Sequence, residues 1–186
     1  ILGHVILNGC KRKHGKPHPE MPRPSHSWLK RDWYELDPCK SLDEEPAFYG
    51  KDIVDRILDF TSRTEIQHDV ACHSFSHQLF GDKGCSTEVA QAEIEQCLKL
   101  MKRNYNVYPK VFIFPRDYPG HLNILQKYGF IAFRGQIPRV LRYQESGIDI
   151  WNSLRKYISL TDYLASFYLA IPPPVVSPKK ECGLVN

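Results

Sequence analysis

Nowhere in its 186 residues does the chain hold an apolar run near the roughly 18 residues that cross a bilayer as a helix, which argues against a membrane span. Nor does it show a charged start followed by an apolar core and a small-residue cleavage site, so no targeting signal is read from it. Its six cysteines, Cys10, Cys39, Cys72, Cys85, Cys97 and Cys182, include no CxxC pair and no dense framework. That argues against a zinc ribbon and against a disulfide-stapled miniprotein. Charge of one sign is lacking too: 25 basic and 21 acidic residues are interspersed and leave a net charge of +4. Without a clustered basic footprint, nucleic acid is not an expected partner. Internal repeats and low-complexity segments are absent. The chain opens at Ile1, within an apolar stretch and without a methionine. Its natural start is therefore expected to lie upstream, and the compartment stays open.

What is present is core material. Apolar residues make up 42% of the chain and aromatic residues 12%, enough for one hydrophobic core and hence one domain over 1–186. Residues 1–7 are nearly continuous in apolar character and read as a strand of a parallel sheet, buried on both faces. From 11 to 46 the chain is rich in proline and histidine. Pro17, Pro19, Pro22 and Pro24 are too closely spaced for a helix, so this is a long loop. Trp28, Trp33 and Tyr34 either pack that loop onto the body or offer flat faces to sugar rings. Cys10 and Cys39 bracket the loop, and both a disulfide and two thiols are compatible with their placement.

Ile53, Val54, Ile57 and Leu58 recur at helical spacing and predict an amphipathic helix over 51–63, before a strand at 68–72. Ser86 is a plausible N-cap for a second helix, with Ala90, Ile94, Cys97, Leu98, Met101 and Tyr105 as its core stripe. A strand at 110–114, a helix at 122–128 ended by Gly129 and a strand at 130–133 follow. A last helix over 161–170 is stopped by Pro172, Pro173 and Pro174, and a polar tail runs to Asn186. Alternating strands and helices predict an α/β fold with a parallel sheet, whose functional groups gather at the carboxyl ends of the strands.

Just past one such end stands Asp69-Val70-Ala71-Cys72-His73-Ser74-Phe75-Ser76-His77. Two imidazoles four positions apart can lie on one side of a helical turn and converge on a metal. With eight histidines in the chain the spacing alone is a weak signal, which the position after a strand strengthens. Ser74 is expected to brace the turn through backbone hydrogen bonds. The other histidines, His4, His14, His18, His26, His68 and His121, are expected to play no metal role, and those among prolines and charges to sit in solvated loop. Lys11-Arg12-Lys13 is likewise expected to face solvent.

In these surroundings the chain resembles the polysaccharide deacetylase family, carbohydrate esterase family 4, whose metal motif is His-Ser/Thr-x-x-His after a strand. The matching residues are His73-Ser74-Phe75-Ser76-His77, and the likeness extends over about 53–135. The resemblance implies an incomplete (β/α) barrel. It further implies His73 and His77 as ligands of a divalent metal, zinc by donor type, and an acetylated polysaccharide as substrate. The family's paired aspartates, a base and a third ligand, would precede Ile1, and its Leu-x-His acid would lie beyond Asn186. Read so, the chain is a partial domain without the reaction's acid and base. The family more often shows Arg-x-Pro-Tyr where this chain has Phe114-Pro115-Arg116-Asp117-Tyr118. Arg116 is the candidate catalytic arginine, orienting a carboxylate or substrate, against the plainer reading of a surface ion pair. Asp117 is a substitute ligand, a partner for Arg116 or an ordinary turn residue.

An N-acetyl amide is stable in water, so its hydrolysis calls for an activated nucleophile and a stabilised oxyanion, both within reach of a bound divalent metal. The expected activity is hydrolysis of N-acetyl groups on amino-sugar polysaccharides. A non-catalytic carbohydrate-binding descendant of the same fold is the alternative, and a closed structural zinc site a third.

Overall fold

Among the described residues, helices form where the local signals place them. The first, α1 (Lys51–Arg63), spans the expected stretch, with Asp52 in its first turn and Arg63 in its last to complement the helix dipole. Lys51 and Asp55, and Asp59 and Arg63, pair one turn apart at 2.8 Å on its outer face. Only Val54 is buried, while Ile53, Ile57 and Phe60 stay 56%, 40% and 46% exposed. The apolar stripe thus finds little cover among the described residues. These are 21–66, 68–134, 157 and 180–185 in a computed structural model. The expected strand at 1–7, the Lys11-Arg12-Lys13 run, His4, His14, His18, the Cys10 half of the Cys10–Cys39 question and the helix at 161–170 lie outside them.

The second helix, α2 (Thr87–Tyr105), begins as expected at Ser86, whose hydroxyl accepts the Val89 N–H at 3.3 Å. It ends at Asn106 in the left-handed region (φ 53°), whose N–H reaches the Lys102 carbonyl at 2.9 Å. Ala90, Ile94, Cys97 and Met101 are buried as the stripe predicts, but so are Leu100 and, against expectation, the carboxylate residue Glu93.

Strand β1 (Val111–Phe112) leads through a single 3-10 turn at Pro115–Asp117 into α3 (Leu122–Lys127), and Gly129 at φ 80° lets the chain reverse into β2 (Ala132–Phe133). The two strands run parallel, with Phe112 opposite Phe133. On the other edge of β1 the expected strand at 68–72 shrinks to one parallel bridge between Cys72 and Phe112. The Cys72 N–H donates to the Val111 carbonyl at 3.0 Å and its carbonyl accepts from Ile113 at 2.8 Å. His68 and Asp69, both exposed, have no ladder partner among the described residues.

Within the expected polar tail, residues 180–185 form a hairpin. β3 (Lys180–Glu181) and β4 (Leu184–Val185) are antiparallel, and β4 adds parallel to β2, giving the sheet order β1-β2-β4-β3. Cys182 (φ 48°) and Gly183 (φ 74°) both take positive φ, the requirement of a two-residue turn that matches strand twist. The reason the tail folds back is Leu184, which is fully buried against the sheet.

Around β1 an aromatic cluster forms the core: Phe112 meets Phe80, Phe114 and Phe130 edge-on at centroid distances of 5.1, 4.9 and 5.5 Å. The described architecture is mixed α/β with a mainly parallel sheet. The chain divides into two compact units, Ile1–Arg134 with Lys180–Asn186, and Gly135–Lys179. Of the second only Tyr157 is described, as an exposed helical residue. No helix among the described residues is long and apolar enough to cross a membrane.

Candidate metal centre

Because β1, β2 and the Cys72 bridge are parallel, the residues that leave them cluster at one edge: His73 after Cys72, Arg116 and Asp117 after β1, and Arg134 after β2. This is the edge at which α/β proteins assemble their sites.

His73 and His77 do meet, with ring centroids 5.0 Å apart and planes at 71°. They do not ride on a helical turn, as the spacing suggested. Ser74 and His77 both take positive φ (64° and 66°), and the segment is irregular. The cause is Glu93, on α2. Its carboxylate accepts from the Phe75 and Ser76 backbone N–H groups at 3.0 and 2.7 Å and from the Ser74 and Ser76 hydroxyls at 2.5 Å each. The backbone wraps this anion instead of bonding to itself. Ser74 braces the loop, but chiefly through Glu93, and only its acceptance of the Gln78 N–H at 3.2 Å is the backbone contact expected of it. Burial pushes the Glu93 carboxyl above its ordinary range, and the four donors around it oppose that shift.

The His73 Nδ1 lies 2.7 Å from the Ile113 carbonyl. A carbonyl only accepts, so Nδ1 carries the proton and Nε2 is left with a lone pair. That is the tautomer and bracing found at metal-ligating histidines. Burial lowers the pKa of His73, and it lowers that of His77 to about 4, with the neighbouring His73 adding to the effect. Both rings are thus neutral at pH 7, as ligands must be.

The proline-rich loop closes over this segment. Gln78 holds Ser25 from both sides, accepting its N–H at 2.7 Å and donating to its carbonyl at 2.9 Å, and the Trp33 indole donates to the Ser76 carbonyl at 2.6 Å. Trp33 and Tyr34 therefore pack the loop onto the body, whereas Trp28 remains 43% exposed, with the Arg116 guanidinium 5.8 Å from its ring centre. Arg116 itself is exposed and adds to the fields that lower His26 and His77. Asp117 pairs with Arg134, through Nε at 2.9 Å and Nη2 at 2.6 Å, and Arg134 is a residue that sequence reasoning did not single out.

His26 departs most from expectation. Placed in solvated loop by its proline-rich context, it is only 6% exposed, stacked on Trp28 at 5.4 Å and tilted against Trp33 at 4.5 Å. Neither ring nitrogen has a hydrogen-bond partner among the described residues. Burial lowers its pKa, opposed by Asp82. Of the other histidines, His68 is exposed beside Phe60 and His121 donates from Nε2 to the Cys85 carbonyl at 2.9 Å.

No family model, no curated protein and no solved structure is similar to the chain. A divalent metal is therefore judged on donors alone. His73 suits it in tautomer, and His73 and His77 suit it in charge and proximity, while no cluster of three His, Cys, Asp or Glu residues forms among the described residues. Two imidazoles would be half of the four donors that a tetrahedral site takes.

The orphaned His26 nitrogens predict that His26→Phe, which keeps the stacked ring and removes two unsatisfied polar atoms, stabilises the protein by on the order of 1 kcal/mol. The urea midpoint at pH 7 measures it, and a lower midpoint would mean the ring nitrogens are satisfied after all. Acid acts in the opposite sense. His26, His73 and His77 all have folded pKa values below the ordinary 6.5. Their contribution is present above pH 6.5 and is lost as the pH falls, for His77 toward about 4, because the unfolded chain takes up protons first. The urea midpoint of the metal-free protein should drop between pH 7 and pH 4.5, less steeply in His26→Phe; parallel profiles would contradict the assignment for His26.

Proposed function

We propose that the chain carries the metal-binding part of a polysaccharide deacetylase, with an incomplete (β/α) barrel fold, that removes N-acetyl groups from amino-sugar polysaccharides. Zinc is the metal, and His73 and His77 are two of its ligands. The observation that carries this reading is the His73–His77 pair itself, with the His73 tautomer set by the Ile113 carbonyl at the carboxyl edge of a parallel sheet. The resemblance of His73-Ser74-Phe75-Ser76-His77 to the family's metal motif supports the reaction and the substrate.

A bound divalent metal supplies the acidity that makes water a nucleophile and polarises the acetyl carbonyl. This chain's own residues hold and frame the metal. Neutral His73 and His77 hold the metal, and Glu93 fixes the loop between them by four hydrogen bonds. Arg116, exposed beside Trp28, orients a carboxylate or the substrate in this reading.

Incubating the zinc-loaded protein with an N-acetylated glucosamine oligomer and measuring released acetate tests the reaction. Acetate at a rate above that of the zinc-free protein supports it. A second reading is a carbohydrate-binding descendant without catalysis, favoured by the exposed Trp28 face. Oligomer binding without acetate release would select it.

A further inference from the structure

Two cysteines meet behind the histidine loop. The Cys72 and Cys97 sulfurs are 3.1 Å apart, and the side chains are 1% and 2% exposed, so each is walled in against the other. The separation exceeds a disulfide bond of ~2.05 Å by about 1 Å, a gap that small side-chain rotations close. Both residues stand on well-anchored backbone. Cys72 is held to β1 by two hydrogen bonds, and Cys97 lies in the middle of α2, one turn after Glu93. Their positions therefore matter to the loop: Cys72 directly precedes His73, and Glu93 on the same face as Cys97 already grips Ser74, Phe75 and Ser76.

We propose that Cys72 and Cys97 form a disulfide when the protein meets a small-molecule disulfide oxidant, and that this bond clamps the histidine loop to α2. The thiolate of one cysteine attacks a sulfur of oxidised glutathione, forming a mixed disulfide and releasing one glutathione. The second thiolate then displaces the other glutathione. The protein pair loses two electrons and two protons, and the oxidant is reduced to two thiols. Inside the folded core the Cys97 thiol is held protonated by its bond to Cys72 and by burial, so exchange belongs to the folding chain or to a locally opened state.

Trypsin places Cys72 alone in peptide 64–83 and Cys97 with Cys85 in peptide 84–99, so the mapping uses the full-length Cys85→Ser variant. It is refolded in a mixture of oxidised and reduced glutathione, alkylated after denaturation and digested without reductant. The expected product is peptide 64–83 joined to 84–99, dissociating on reduction. Thermal unfolding should then occur about 10 °C higher in the oxidised than in the reduced protein. Recovery of both peptides in alkylated form, or of Cys72 joined to any other cysteine, would overturn the proposal. The same digestion of Cys85→Ser combined with Cys97→Ser should give no such cross-link.

Discussion

Replacing His73 and His77 together by alanine should abolish stoichiometric zinc binding at pH 7. Changes in groups that merely orient a ligating histidine cost roughly 10–100-fold in affinity, so loss of the ligands themselves must exceed that range. The His73 brace is a backbone carbonyl, which side-chain substitution cannot remove, so single variants are informative too. His77→Ala leaves the His73 tautomer in place and should weaken zinc less than the double change. Equilibrium dialysis against a zinc-buffered solution separates the cases. Equal zinc content in the parent and the double variant would sink the ligand assignment and, with it, the deacetylase reading. The fold should survive, since both side chains are only half-buried and neither belongs to the apolar core.

Where structure followed local rules, the sequence made it legible. α1 occupies the span its periodicity marked, Ser86 caps α2, and Gly129 closes α3, because each depends on residues within a turn or two. The histidine pair could be picked out by spacing and by its place after a strand. Its backbone could not, because the shape of the loop is imposed by Glu93, 17 to 19 residues downstream in chain order. A signal was there: Glu93 lies three residues after Ala90 and four before Cys97, on a face otherwise apolar. His26 misled in the same way. Its prolines describe a solvated loop, but Trp28 and Trp33 bury it. The C-terminal hairpin was missed because two-residue strands carry no periodicity, although the Cys182-Gly183 pair before Leu184 marks its turn.

The largest effect on stability is expected at Glu93. Glu93→Ala removes the acceptor for two backbone N–H groups and two hydroxyls in a site closed to solvent. The hydroxyls can turn elsewhere, but the Phe75 and Ser76 N–H groups are fixed by the backbone. The cost should be about 3–5 kcal/mol, the range seen when one partner of a buried charged network is deleted. Glu93→Gln is the informative companion. Its carbonyl oxygen can take the place of Oε2, where three of the four donors converge, while its amide donates to a rotated Ser76 hydroxyl. It should therefore cost only about 1–2 kcal/mol and retain zinc, whereas any Glu93→Ala protein that stays folded should bind zinc weakly. The contrast follows from what the residue does. Three donors converge on Oε2, and an amide oxygen placed there keeps the hydrogen-bond geometry that holds the loop, whereas alanine removes it. Urea titrations of the two variants test this. Equal losses would mean that the negative charge itself is indispensable, and a small loss in Glu93→Ala would mean that the loop keeps its shape without α2.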